Sequence, residues 1–202
     1  MSNSKYVNNM LTFVTTNRAK FTEVSKILAE YGIEVNHANV KLIEIQHEDV
    51  EYIAKMKARD AYNALSNSSN EVLVEDDALA IHALNGFPSI YASYVFKCIG
   101  NEGILRLMEG ISNRSAEFLS VIAYFNRYCN EPLTFIGRVR GRIALSIRHG
   151  TKGLAWGYDP IFIPDGYDMT YAELYDLGLK DKVSHRRIAL DKFAHWYNNN
   201  EQ

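Results

Sequence analysis

Apolar residues in the first third of the chain form one strand-like run and two stripes at helical spacing. The run at 11–15 is rich in β-branched and aromatic residues, which predicts a buried strand. Apolar positions then recur at helical spacing over 21–31, which predicts a helix that ends near Gly32. A second stripe over 53–65 follows two acids and predicts another helix, and the Ser- and Asn-rich stretch 66–70 predicts a loop.

The middle of the chain contains three further runs of strand type. A short run at 72–74 stands just before a group of acidic residues. Longer runs at 118–125 and 133–143 predict an antiparallel pair of strands. Residues 85–88 have the composition of a turn, and 103–108 predicts a short helix.

The last part of the chain predicts a helix from Ser184 to Trp196, followed by a frayed tail at 198–202. The polar N-terminal residues 1–9 are expected to be flexible as well. Neither an internal repeat nor a long linker divides the sequence. The pattern therefore favours a single α/β domain over residues 1–202, built as two lobes.

Composition narrows the class of protein. The 202 residues are 47% hydrophobic and 23% charged, which is ordinary for a globular chain, and no apolar run is long enough to cross a membrane. The N-terminus does not resemble a secretory signal, and two cysteines are too few for a disulfide framework or a cysteine-based zinc site. We therefore expect a cytoplasmic protein. A net charge of −2 argues against a general nucleic-acid or membrane-surface binder.

Three adjacent acids, Glu75, Asp76 and Asp77, follow the strand-like run at 72–74. Adjacent like charges repel one another unless a positive group lies between them. Mg²⁺ suits this role because it binds carboxylate oxygens together with substrate phosphates. An exposed turn or a helix cap is the alternative interpretation of the same triplet.

A second candidate segment joins the first strand to the first helix. Helix N-termini carry unpaired N–H groups and a partial positive charge, which suits a phosphate, and a lysine within one turn adds a full charge. The alternative is an ordinary N-cap by Thr16 or Asn17. The segment comprises Thr15, Thr16, Asn17, Arg18, Ala19 and Lys20. Glu44 and Lys57 are two further charged candidates. Glu44 fits a solvent-facing position on an edge strand, and Lys57 fits a solvent-exposed helix face.

Aromatic, glycine and polar residues between 156 and 186 suit a purine base, because aromatic rings stack on a base and polar side chains bind its edge. A rigid loop followed by a helix cap at Ser184 is the alternative. The residues that would contact the base are Trp156, Gly157, Tyr158, Asp159, Lys180, His185 and Arg186.

An arginine-rich stretch raises the possibility of an RNA- or DNA-binding module. The stretch comprises Arg138, Arg140, Arg142, Arg148 and Lys152, and its first three members alternate with less polar residues at period two. This spacing more simply describes the solvent-facing side of a strand.

Taken together, these motifs resemble the inosine triphosphate pyrophosphatase family, the Ham1-like nucleotide diphosphatases. The similarity follows family order from residue 11 to about 195. The segments that carry it are Thr15–Lys20, Val74–Asp76 with Leu79, Leu84–Pro88 with Tyr91, Gly157–Phe162, Pro164–Tyr167, Thr170–Glu173 and Ser184–Arg186. The resemblance implies an elongated mixed α/β fold with two lobes around a central substrate cleft, usually a homodimer. It also implies Mg²⁺-dependent hydrolysis of non-standard purine triphosphates (ITP, dITP, XTP) to the monophosphate and pyrophosphate.

The same resemblance assigns roles to the candidate residues. It implies that residues 15–20 and Lys57 bind the triphosphate, and that residues 156–159 with Lys180, His185 and Arg186 hold the base. Glu44 and Asp76 resemble metal ligands. Asp76 also resembles the group that accepts the proton of the attacking water. From the chemistry of transfer to water we further expect Glu75 to assist Asp76, and Lys20, Lys57 and the helix N-terminus to stabilise the departing pyrophosphate.

Three positions depart from the family pattern. Asp77 stands where the family has a Ser or Thr that contacts substrate, Ala78 where Gly is common, and Ser89 where Gly usually follows the proline. The Asp77 side chain either turns away from the phosphates or helps to hold Mg²⁺. We expect the first, with Asp77 still binding substrate through its backbone N–H. A non-catalytic nucleotide sensor with the same fold is the alternative function, although Lys20 and Asp76 are intact.

Overall fold

The computed structural model describes residues 11–43, 45–65, 71–151 and 157–200. Five predictions fall wholly or partly on residues outside these ranges: the flexible N-terminus, the loop at 66–70, Glu44, Trp156 and the end of the tail at 198–202. Among the helices of the described segments, none has the length and hydropathy needed to cross a bilayer.

The described residues form seven strands and six α-helices. The strands are β1 (Thr12–Val14), β2 (Asn36–Ala38), β3 (Glu71–Ile81), β4 (Pro88–Ser89), β5 (Ser115–Asn126), β6 (Leu133–Ile143) and β7 (Phe162–Pro164). The helices are α1 (Arg18–Ala29), α2 (Val50–Leu65), α3 (Ala92–Leu107), α4 (Tyr171–Asp176), α5 (Lys180–Val183) and α6 (His185–Asn200).

The described strands belong to one mixed sheet with the order β2-β1-β3-β5-β6-β7, and β4 pairs with β3. Strand β1 runs parallel to β2 and to β3, with Thr12 opposite Asn36 and Val72. Strand β4 is antiparallel to β3, and β7 is antiparallel to β6. A mixed α/β fold is therefore confirmed, whereas the substrate cleft stays a prediction.

The chain divides into two compact units, and the divisions fall within β3, β5 and β6. The described parts of Met1–Glu75 and Ile122–Thr134 form the first unit, and those of Asp76–Val121 and Phe135–Gln202 form the second. Glu75 therefore belongs to the first unit, whereas Asp76 and Asp77 belong to the second.

Apolar residues of β1, α1 and α2 supply much of the core of the first unit. Phe13, Val24 and Ile27 are fully buried, and Ala58 of α2 is equally inaccessible. These positions match the strand run and the helical stripes in the sequence, so both predicted helices are confirmed. Helix α1 ends at Ala29, slightly before the predicted end at Gly32.

Aromatic side chains dominate the core of the second unit. Phe118 of β5 packs edge-on against Phe162 of β7, with 4.7 Å between ring centroids, and Phe162 lies 5.0 Å from Tyr171 of α4. Phe162 and Tyr171 are fully buried and Phe118 nearly so. This packing positions the start of α6 against the sheet.

The predicted strand at 72–74 was too short, and the alternative interpretation of the three acids as a turn or helix cap was wrong. The three acids lie inside β3, which continues through apolar Leu79 and Ile81. A run of acids normally ends a buried strand, because unpaired charges are costly to bury. Here Glu75 is buried beside Lys20 and Asp77 is paired with Arg186, so the strand extends through both.

Two helices are longer than predicted. Helix α3 begins at Ala92 instead of residue 103, and its two halves meet at Gly100, whose φ of 62° and ψ of −165° lie outside the helical region. Helix α6 continues through Asn200, so the part of the predicted frayed tail at 198–200 is helical. The side-chain amide of Asn200 donates to the Trp196 backbone carbonyl at 2.7 Å, which satisfies a carbonyl of the last turn.

Candidate functional site

Asn17 is the N-cap of α1. The Asn17 side-chain oxygen accepts hydrogen bonds from the backbone N–H groups of Ala19 and Lys20, at 3.0 and 3.2 Å. The Thr15 hydroxyl in turn accepts from the N–H of Asn17 at 3.1 Å. Such a cap contributes about 1 kcal/mol to the helix. Thr16 and Arg18 are exposed, so their side chains face solvent at the positive end of the helix.

His37 supports this segment, a contact that we did not predict. Its Nε2 lies 2.9 Å from the Thr15 carbonyl oxygen, and its ring stacks on Phe21 with centroids 4.4 Å apart. Strand β2 thus holds the turn between β1 and α1 in place.

Both lysines predicted to bind phosphate meet at Glu75. The Lys20 ammonium lies 3.5 Å from the Glu75 carboxylate, whose side chain is fully buried. The Lys57 ammonium donates to the backbone carbonyl of Glu75 at 3.2 Å. Residues from α1, α2 and β3, distant in sequence, therefore place two cations around one buried acid.

Asp76 is half-buried in β3, directly after Glu75. Of the two predicted metal ligands it is the one that the structure describes. Within the described segments, no three His, Cys, Asp or Glu side chains cluster as a metal site. Mg²⁺ commonly uses only one or two carboxylates and takes its other oxygens from water and phosphates. The oxygen donor of Asp76 therefore fits Mg²⁺, provided that substrate completes the coordination.

Asp77 contacts the first turn of α6. Its Oδ2 lies 2.8 Å from Nη2 of Arg186, and its Oδ1 lies 3.8 Å from Nε2 of His185. The Arg186 side chain is only 1% exposed, so its charge is almost completely removed from water. A buried cation requires such a carboxylate because its desolvation is otherwise uncompensated.

Three further contacts hold this turn. The His185 ring stacks on Phe118, with centroids 4.6 Å apart and planes 7° from parallel. Gly137 of β6 lies so close that a Cβ there would be 2.0 Å from the His185 carbonyl oxygen and 2.6 Å from the Ala189 nitrogen. Only glycine permits this approach. The Ser184 hydroxyl accepts from the N–H of Arg187 at 3.1 Å, so the predicted cap at Ser184 is confirmed.

Asp159 and Lys180 form a second buried ion pair. Their carboxylate and ammonium groups are 2.7 Å apart, and the side chains are 7% and 3% exposed. The same ammonium lies 5.8 Å from the centre of the Tyr171 ring, which favours a cation. The structure thus brings together two residues that the sequence predicts to bind the base, and each is the other's ion-pair partner.

Hydrogen bonds with residues of α3 hold Gly157 and Tyr158 in place. The buried amide of Asn101 donates to the Gly157 carbonyl at 3.1 Å, and the Tyr158 hydroxyl donates to the Ala92 carbonyl at 2.9 Å. Burial raises the pKa of Tyr158 well above its ordinary value, because the phenolate would be desolvated. Tyr158 therefore stays neutral and acts as a hydrogen-bond donor.

The arginine-rich strand has the solvent-facing role favoured above. Arg138 and Arg140 of β6 are exposed and lie 2.8 and 3.8 Å from the Glu117 carboxylate, and Arg142 lies 2.8 Å from Asp168. Carboxylates on the same surface already compensate these charges. This arrangement does not favour a nucleic-acid interface.

The sequence did not predict a role at the site for four residues that contact it: His37, Asn101, Phe118 and Gly137. Each acts through a contact with a segment far away in the chain, and none belongs to a local motif. A lone asparagine in a helix or glycine in a strand carries no signal of its partner. Only a possible bulge or close approach could have been suspected at Gly137.

Comparisons with known proteins agree over nearly the whole chain. The model of the Ham1 family matches residues 11–196. The dITP/XTP pyrophosphatase of Methanopyrus kandleri is 50% identical over 188 residues, which cover 93% of this chain and 96% of that relative. The dITP/XTP pyrophosphatase of Thermococcus kodakarensis is 41% identical, over 94% of this chain and 98% of that relative.

Solved structures show the same fold. The Staphylococcus aureus Ham1 protein matches with a TM-score of 0.78 and 26% identity, over 95% of this chain and 100% of that chain. A HAM1 protein from Coxiella burnetii matches with a TM-score of 0.80 and 28% identity, over 94% of this chain and 99% of that chain.

Proposed function

Because the chain belongs to the Ham1 family, we propose that it is a nucleoside-triphosphate diphosphatase. It hydrolyses non-standard purine triphosphates of the dITP, ITP and XTP class to the monophosphate and pyrophosphate, and so removes them from the nucleotide pool. The observation that carries this function is the 50% identity to a dITP/XTP pyrophosphatase across 93% of the chain. The pair of lysines around Glu75 supports it, because a triphosphate needs cationic partners.

In the proposed reaction, residues of the first unit bind the triphosphate. The exposed N-terminal turn of α1, including Thr16, Arg18 and Ala19, offers partial positive charge to phosphate oxygens. Lys20 and Lys57 add two full charges, which Glu75 holds in place through its carboxylate and its backbone carbonyl. Transfer of a nucleotidyl group to water depends mainly on such positioning and charge compensation.

Asp76 is the proposed proton acceptor. Water attacks the α-phosphorus, the bond from that phosphorus to its bridging oxygen breaks, and pyrophosphate leaves with the bond electrons. Asp76 takes the proton that the water loses, and Lys20 stabilises the charge on the departing pyrophosphate. Glu75 assists by maintaining the position of Lys20, because its buried carboxylate faces that ammonium.

We also propose that Asp76 and Glu44 hold Mg²⁺, which supplies positive charge to the phosphate oxygens when bound. The oxygen donor of Asp76 supports this assignment. Removal of the metal with a chelator should abolish turnover, and added Mg²⁺ should restore it.

Residues of the second unit are proposed to bind the base. Trp156 supplies a stacking surface, and Gly157, Tyr158 and Asp159 contact the base together with Lys180, His185 and Arg186, a set that Asn101 and Phe118 support. A pocket built for a 6-oxo purine leaves polar groups unpaired when a 6-amino purine enters, so ATP is disfavoured.

The remaining proposals concern organisation. We propose that residues 1–202 act as one domain, that the active form is a homodimer and that it works in the cytoplasm. Neither nucleic acid nor a membrane is proposed as a partner. Sedimentation equilibrium of the purified protein tests the dimer, which a single species of monomer mass would refute.

A panel of nucleoside triphosphates tests the activity, with phosphate and pyrophosphate detected separately. dITP, ITP and XTP should give the monophosphate and pyrophosphate, and ATP, a 6-amino purine nucleotide, should react far more slowly. Release of single phosphates with accumulation of the diphosphate would contradict the proposal. Tight binding of ITP without turnover would instead indicate a nucleotide sensor.

A further inference from the structure

The contact between Asp77 and α6 is a feature that the proposed reaction does not use. In that contact the Asp77 carboxylate lies 2.8 Å from the Arg186 guanidinium and 3.8 Å from the His185 imidazole. The Asp77 side chain is 16% exposed and that of Arg186 only 1%. A charge-assisted hydrogen bond from which water is largely excluded is stronger than one on the surface. It therefore strongly favours one orientation of the guanidinium.

The backbone and the imidazole of this turn are fixed by other groups. Gly137 lets β6 approach the His185 carbonyl, and Phe118 stacks on the His185 ring. Arginine has a long side chain with many rotamers, and holding it in one of them costs conformational entropy. The Asp77 carboxylate offsets that cost for Arg186.

Serine or threonine, which the family resemblance leads us to expect at this position, could not do the same. A hydroxyl is neutral and shorter than a carboxylate, so it cannot form an ion pair with a guanidinium. The exchange to Asp therefore gives this chain a charged contact from β3 to α6.

We propose that Asp77 is a positioning residue for base recognition: it orients Arg186, and the preference of this chain for a 6-oxo purine depends on its carboxylate. The inference rests on the proposed function, in which Arg186 and His185 contact the base. It assigns no contact with phosphate or metal to the Asp77 side chain.

Binding of IMP and AMP, measured by calorimetry without metal, tests the proposal. The two nucleotides share ribose and phosphate and differ at position 6 of the base. Wild-type protein should prefer IMP, and Asp77→Asn should lower that preference about tenfold, the effect of weakening one hydrogen bond to a charged group. The matched control is Asp168→Asn, since Asp168 also lies 2.8 Å from an arginine but is fully exposed. It should keep the preference.

Two outcomes would overturn the positioning role. Asp77→Asn could keep the preference for IMP, or it could weaken IMP and AMP by the same factor, which would point to a phosphate contact. Unfolding midpoints are measured in parallel. If Asp77→Asn does not fold, Asp77→Ser replaces it, because it also removes the carboxylate and supplies a residue type expected at this position. A folded Asp77→Ser variant with wild-type preference refutes the proposal.

Hydrolysis of dITP by the wild-type protein is assayed separately. If no pyrophosphate is released but IMP is preferred through Asp77, the proposed reaction fails and the positioning role stands. If wild-type protein binds IMP and AMP equally, the positioning role fails whatever the hydrolysis assay shows.

Discussion

Replacing Lys180 with Met should destabilise the protein by about 3–5 kcal/mol, the usual result of removing one partner of a buried ion pair. The Lys180 ammonium lies 2.7 Å from the Asp159 carboxylate, and both side chains are less than a tenth exposed, at 3% and 7%. Methionine preserves most of the volume of the side chain, so packing changes little. The loss arises because the carboxylate stays buried without the ammonium that faces it.

Urea denaturation gives the free energy of unfolding, and a thermal scan should show a midpoint lowered by about 6–20 °C for a chain of this size. Arg142→Met is the control, since Arg142 and Asp168 have their charged atoms 2.8 Å apart but are 43% and 100% exposed. An exposed pair of this kind contributes at most about 1 kcal/mol.

A double-mutant cycle separates the ion pair from packing. Asp159→Asn removes the second charge, so the double variant with Lys180→Met should be more stable than the sum of the two single losses predicts. A loss below about 1 kcal/mol for Lys180→Met, or strict additivity in the cycle, would refute this argument from burial.

Three further predictions concern the site. Asp76→Asn should lower kcat for dITP about 100-fold or more, the size of a general-base contribution; near-normal turnover would show that another group takes the proton. Trp156→Ala should weaken binding of ITP by about 1–3 kcal/mol, the range for stacking of a base on an aromatic ring, and unchanged affinity in a folded variant would exclude stacking. Tyr158 has its pKa raised by burial, so above pH 10 the unfolded state loses this proton first and stability falls as pH rises. Tyr158→Phe should make unfolding measured from pH 9 to 11 less dependent on pH, and an unaltered pH profile would contradict that assignment.

Local pattern was sufficient for the elements whose stabilising contacts follow a regular period. Helices α1 and α2 and the strands β5 and β6 were predicted because each carries an uninterrupted apolar stripe at the spacing of its own structure. The cap at Ser184 was also predictable, since capping depends on a side chain and an N–H group three residues apart.

The length of β3 was not predictable in this way. Its acids read as the end of a strand because the sequence does not show that Lys20, far earlier in the chain, lies beside Glu75. The predicted helix at 103–108 was too short for a related reason. Gly100 interrupts the helical pattern in the sequence, whereas the structure accommodates it as a kink within α3.

The sequence by itself determined the mixed α/β class, the resemblance to the Ham1 family and the set of residues that could bind phosphate, metal and base. It did so because these depend on residue type, spacing and order along the chain. Only the tertiary structure decided that Glu75 holds two lysines, that Asp159 pairs with Lys180 and that Asp77 pairs with Arg186. The strength of each contact depends on distance and on exclusion of water, and both arise only when segments distant in sequence pack together.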